Sequence, residues 1–253
     1  MTADRVADLE SLERALNESL AERVEAQSAT AAESAVVEAV GAQLRWAIWC
    51  LECLRELRDV VDITDPRGLG ETPQGYRPQP TAMGHVMWAS TTAMGALDRA
   101  AAAFGAIHLP PLPKGRLHDL GSLHESRSAL PKEHPVRLWL HAVANDPAYR
   151  DLLGLLRHPL VHRTTPMALR ARVGGAPVPW ERLPPHQDAP GFYLPGRDLK
   201  IDPTYRRSVT VVEFLDEVSP SAHRHVEAAV ALTISGAAFE GSGIAEGGPA
   251  ERP

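Results

Sequence analysis

Apolar side chains recur every third or fourth residue over positions 4–26, at Val6, Leu9, Leu12, Leu16, Leu20 and Val24, with acidic residues filling most of the other face. That period predicts an amphipathic helix, because 3.6 residues per turn bring such positions onto one stripe. A longer stripe over residues 30–61 runs through Val36, Val37, Val40, Leu44, Ala47, Ile48, Leu51, Leu54 and Leu57. Thr64-Asp65-Pro66 and a Gly/Pro-rich stretch to Pro80 then break the chain. An Ala-rich helix is predicted over 80–107, carrying Trp88, Leu97 and Phe104, with Gly84 and Gly95 allowing a neighbour to approach closely. Pro110, Pro111 and Pro113 stop it; an irregular, partly basic loop lasts to Pro131, and a short helix is predicted over 135–144.

Asn145-Asp146-Pro147 is a helix-start signal. Asp146 can accept from the exposed N–H groups of the first turn, and Pro147 has no N–H to leave unpaired there. The helix it opens carries Tyr149, Leu152, Leu153, Leu155 and Leu156 to Arg157. After Met167 the period collapses, and residues 166–203 hold eight prolines. Phe192-Tyr193-Leu194 and Leu199-Lys200-Ile201, joined through Pro195-Gly196, predict a small β-hairpin within this insertion. Regularity returns over 209–218, and a last helix over 221–235 turns Val226, Ala229, Val230, Leu232 and Ile234 inward. Residues 238–253, rich in Gly, Glu and Pro, read as a disordered tail. The expected fold is all-α: an up-and-down helical bundle forming one domain over 1–237, with a proline-rich insertion at 168–207.

Composition supports helices. Aromatics are only 5% of 253 residues while alanine is abundant, which favours helices packed through small side chains over a β-sandwich. A net charge of -6 excludes a globally basic nucleic-acid binder, so any such contact requires a local patch. One exists: residues 150–172 hold Arg150, Arg157, Arg163, Arg170 and Arg172 against a single acid, Asp151, a local charge of +4. The N-terminus lacks the basic and apolar regions of a signal peptide, and no run approaches 18 apolar residues. A cytoplasmic protein with no membrane association is the expectation.

The most suggestive chemistry lies in Arg157-His158-Pro159-Leu160-Val161-His162. A histidine can donate or accept a proton near neutral pH, and an arginine can clamp a phosphate through two hydrogen bonds. On a straight helix residues five apart diverge by about 140°, so Arg157 and His162 would not share a face. Pro159 disturbs that helix, and a kink or helix end can bring the two side chains toward one cleft. The run resembles the signature of the HEPN family, in which Arg is followed by a polar residue and, a few positions on, by His.

That resemblance, resting on about six residues in a helical setting, implies a metal-independent endoribonuclease that drives 2′-OH attack on the adjacent phosphate and leaves 2′,3′-cyclic phosphate ends. It implies His162 as acid/base, Arg157 as phosphate clamp and His158 as an orienting or second proton-handling group, with Arg150, Arg163, Arg170 and Arg172 holding the RNA. It further implies a homodimer whose two motifs line one cleft, and a toxin or defence effector with a possible antitoxin partner. A non-catalytic HEPN-like module binding nucleotide, RNA or a protein stays open beside it.

Other constellations are weaker. His158 and His162 have the four-residue spacing of metal ligands on a helix, yet no carboxylate completes a zinc pattern and Pro159 interrupts the helix; neither a metal nor a cofactor is expected. Cys50 and Cys53 form a Cys-x-x-Cys without further ligands or a βαβ setting, and read as small core residues. Trp46, Trp49, Trp88 and Trp139 read as core or dimer-interface residues, and Trp180 as a pin for the insertion. His85, His141, His223 and His225 read as surface or satisfied core residues, with His223 and His225 as possible borders of the cleft.

Overall fold

The computed structural model describes residues 4–26, 30–63, 69–72, 75–78, 80–149, 172–173, 176–177, 192–195, 205–209 and 211–242. Long helices dominate: α1 (Asp4–Ala26), α2 (Ala31–Ile63), α3 (Pro80–His108), α4 (Leu120–Glu125), α5 (Pro135–Asn145) and α6 (Val211–Ile234). Three short antiparallel pairs accompany them, β1 (Leu69–Thr72) with β2 (Gly75–Pro78), β3 (Arg172–Val173) with β4 (Ala176–Pro177), and β5 (Phe192–Pro195) with β6 (Tyr205–Val209). The chain divides into two compact units. The first comprises Met1–Glu52, Gly95–Ala144 and Ala222–Pro253; the second comprises Cys53–Met94 and Asn145–Ser221.

In the first unit the longer helices α1, α2, α3, α5 and α6 alternate in direction. Arg45 on α2 donates to Asn17 on α1 at 3.0 Å, and Arg99 on α3 donates to Gln43 on α2 at 3.0 Å. Phe104 and Trp139 meet edge to face at 5.0 Å, one turn before His108 on α3 and one turn after the start of α5, so those two helices also run antiparallel. The Trp139 indole N–H donates to the His225 carbonyl on α6 at 2.8 Å. Ser19 Oγ donates to the Ile234 carbonyl, and His223 lies 3.7 Å from Asp8, so α6 runs parallel to α1.

Leu16, Val40, Leu44, Ile48, Leu97, Phe104, Val136 and Val226 are essentially inaccessible in this core. Burying a side chain of that size stabilises by roughly 1.5–3 kcal/mol each, before the entropy of ordering the chain is set against it. The predicted stripes therefore hold over Leu9, Leu16 and Leu20 and from Val37 to Leu57, all buried. Val24 departs from its stripe at 39% exposure.

The helix starts follow capping chemistry. Thr30 and Glu33 form a reciprocal box at α2: Glu33 N–H donates to Thr30 Oγ1 at 3.3 Å, and Thr30 N–H donates to a Glu33 carboxylate oxygen at 2.7 Å. Asp119 and Ser122 form another, starting α4 inside the span predicted to be irregular. Six residues are too few for an amphipathic period, so only the Asp-x-x-Ser spacing foretells this helix. Of the regular stretch predicted at 209–218, Val209 ends β6, while the part from Val211 and the predicted last helix are one element, α6, which runs through Pro220. An interior proline costs about 3 kcal/mol. Leu215, Val218, Ala222 and Val226 are fully buried on either side of it, and that packing offsets the loss.

Residues 238–242, predicted to open the tail, are ordered. Gly236 ends α6 in the left-handed conformation (φ 82°), a turn at Ala237–Phe239 follows, and Ala238 and Phe239 are fully buried. The apolar Ala-Ala-Phe run outweighs the surrounding Gly and Glu. Residues 243–253 lie outside the described residues.

In the second unit Leu54, Leu57, Ala89, Ala93, Met94, Leu215 and Val218 are buried. Arg58 donates to Asp216 through two nitrogens, at 2.8 and 3.5 Å. Of the predicted hairpin, Phe192–Pro195 pairs with Tyr205–Val209, while Leu199, Lys200 and Ile201 lie outside the described residues.

Candidate functional site

The approach to the Arg/His motif is built as the residue types dictate. Asn145 ends α5, and Asp146 follows with 8% of its surface exposed. The Ala148 N–H donates to Asp146 Oδ1 at 2.8 Å, filling one of the donor vacancies of a first helical turn. Pro147 occupies the first helical position, and the chain is helical at residues 147–149. Arg150, Arg157, His158, His162, Arg163 and Arg170 lie outside the described residues, as does Trp180. Arg172 opens β3, opposite Pro177 of β4.

The remaining sequence candidates separate clearly. Trp139 is buried, packed edge to face against Phe104 and hydrogen-bonded. Trp46, Trp49 and Trp88 are not core residues: they are 50%, 51% and 57% exposed. Trp46 and Trp49 lie about 200° and 140° around α2 from buried Leu44, which places them opposite its apolar stripe. Their rings meet at 5.0 Å, and the Arg99 guanidinium sits 5.4 Å from the Trp46 ring. Cys50 is buried and Cys53 half-buried, and neither is in a disulfide. Among the described residues no three His, Cys, Asp or Glu side chains are grouped to hold a metal ion. His141 is exposed, His225 is buried, and His223 lies between Asp8 and Glu227 at 3.7 and 4.0 Å.

Three histidines that no motif marks gather at the C-terminal end of α3. His118 packs onto Gly105 and places Nε2 3.0 Å from the Pro110 carbonyl. His108 and His134 meet edge to face at 4.8 Å. His108 Nε2 lies 2.8 Å from the Ala238 carbonyl and His134 Nε2 lies 3.0 Å from the Glu240 carbonyl. Burial lowers the His108 pKa, the Ala238 hydrogen bond partly restores it, and His134 lowers it further. The three are spread over 26 positions without a period, so only the fold brings them together.

A groove of about 410 Å³ runs between α1 and α2. Leu20, Val24 and Val37 line its apolar floor, with Glu25, Glu38 and Arg45 beside them. This is where Val24 spends its exposed surface.

Among the described residues no helix is long and apolar enough to cross a membrane. No protein-family model, curated protein or solved structure matches the chain.

Proposed function

We propose that the protein is a metal-independent endoribonuclease of HEPN type. Arg157 clamps the scissile phosphate and His162 moves the proton between the 2′-OH and the leaving oxygen. His158 assists, and Arg150, Arg163, Arg170 and Arg172 hold the backbone. The observation that carries this reading is the Arg-His-x-x-x-His run at Arg157–His162, set 11 residues after the Asp146 cap in a predominantly helical chain. The electrostatics agree: the local charge of +4 suits a phosphate backbone, and binding through it weakens steeply with salt.

The chemistry requires little beyond these groups. RNA carries its own nucleophile, so a proton acceptor and a stabiliser for the developing charge suffice. Two copies presenting their motifs to one cleft would double the available cations, and a toxin or defence role follows as the corresponding biological reading. Incubation of a labelled RNA in EDTA tests the proposal. It predicts cutting that stops when the nucleotide 5′ to the scissile phosphate carries 2′-deoxyribose. Cutting that persists without the 2′-OH overturns it, and binding without any cutting leaves the non-catalytic module as the reading.

A further inference from the structure

The end of the described chain is tied down in an unusual way. After Gly236 turns the backbone, Phe239 enters the core of the first unit, with the Arg23 guanidinium 4.1 Å from its ring centroid. The carbonyls on either side of Phe239 are then held by imidazoles, Ala238 by His108 and Glu240 by His134. His134 works in both directions. Its Nδ1 accepts the Val136 N–H at 3.2 Å at the start of α5, which assigns Nε2 as the protonated nitrogen that donates to Glu240. One neutral tautomer thus joins the head of α5 to the turn after α6.

We propose that His108 and His134 form an acid-sensitive latch, which holds Gly236–Ser242 against α3 and α5 while both rings are neutral and releases it when they are protonated. A proton on His134 Nδ1 turns the acceptor of the Val136 N–H into a donor, so the cap at α5 is lost. A second proton on His108 sets two positive rings 4.8 Å apart in a largely buried place. The groups around the pair offer little compensation. From α1 the cation Arg23 lies over the Phe239 ring. From the segment after α3, His118 packs onto Gly105, with its Nδ1 buried and without a hydrogen-bond partner. Glu133, Lys132 and Glu240 flank the latch in the chain and are exposed. Among the described residues neither ring has a carboxylate within ion-pair distance.

The sign follows from His108. Its folded pKa lies below its ordinary value, so its contribution is complete above about pH 6.5 and is lost as pH falls from there through the lowered value. Hydrogen exchange reads the latch directly through the amides of Phe239 and Ser242, bonded to Gly236 and Phe239 carbonyls, and that of Val136. After correction for intrinsic exchange, moving from pH 7.5 to 5.5 is expected to lower their protection by up to about tenfold, the most that His108 with its lowered pKa supplies. The Phe104 amide, one turn inside the end of α3, should keep its protection. In a His108→Gln/His134→Asn variant, which retains a donor to Ala238 and an acceptor for Val136, the pH effect should vanish.

Unchanged protection between the two pH values overturns the latch, as does an equal loss at Phe104 or an undiminished pH effect in the variant. Should the variant fail to fold, long-range ¹H–¹⁵N spectra of wild-type histidines decide: His134 must show the Nε2–H tautomer at pH 7.5 and protonate in the interval where protection is lost. Protonation in a different interval overturns the assignment.

Discussion

Three glycines on α3 invite the same substitution with opposite outcomes. Alanine in place of glycine inside a helix gains about 1 kcal/mol from backbone entropy alone. At Gly84 a new Cβ meets nothing within 4 Å, and at Gly95 it meets only Cys50 Sγ at 3.8 Å, an ordinary contact. At Gly105 it would lie 2.5, 2.8 and 2.9 Å from three atoms of His118. Carbon atoms at rest stand about 3.5–4.0 Å apart, so His118 or the α3 backbone must move by roughly 1 Å. His118 is buried and tied to Pro110, and the shift endangers that hydrogen bond, worth about 1 kcal/mol, on top of an overpacking cost of about 1–3 kcal/mol.

Set against the helical gain, Gly105→Ala is expected to destabilise by about 1–3 kcal/mol, while Gly84→Ala stabilises by about 0.5–1 kcal/mol and Gly95→Ala follows Gly84. Urea unfolding of the three variants measures this as shifts of midpoint at constant m. A Gly105→Ala protein as stable as Gly84→Ala would refute the close approach of His118 to α3.

Asp146→Ala should lower stability by about 1 kcal/mol, because the Ala148 N–H loses its acceptor, and Asp146→Asn should recover most of it; thermal unfolding checks both. Trp139→Phe should cost about 1–3 kcal/mol in denaturant, since it removes the indole hydrogen bond to the His225 carbonyl and part of a buried ring. At α2, hydrogen bonds from Thr30 lower the Glu33 pKa. The cap therefore stabilises above the ordinary carboxylate range and is lost as pH falls through the lowered value. Amide exchange in the first turn of α2 should show this in wild type and not in Glu33→Gln.

The long helices were legible because a period of 3.6 is hard to counterfeit over 20 or more residues. The same period places Trp46 and Trp49 on the outer face of α2, which removes the core half of their core-or-dimer-interface reading. The sequence pattern gives separate stretches at 209–218 and 221–235, whereas the burial of Leu215, Val218, Ala222 and Val226, which no local rule weighs, keeps the helix continuous through Pro220. The histidine cluster was illegible for another reason. His108, His118 and His134 acquire their roles from carbonyls at Pro110, Ala238 and Glu240, and no spacing in the chain announces such partners. At the candidate site, the Asp146-Pro147 start signal was readable from residue chemistry and is seen in its 2.8 Å cap. The Arg157–His162 chemistry rests on its residue types.

The most direct test of the proposed activity compares wild type with Arg157→Ala and His162→Ala on one RNA pool in EDTA, with all three proteins shown to be folded by circular dichroism. The account predicts cutting by wild type, 2′,3′-cyclic phosphate ends on the products, and loss of at least about a hundredfold in rate in each variant. Equal cutting by the three proteins, or none by a folded wild type, contradicts catalysis at Arg157 and His162.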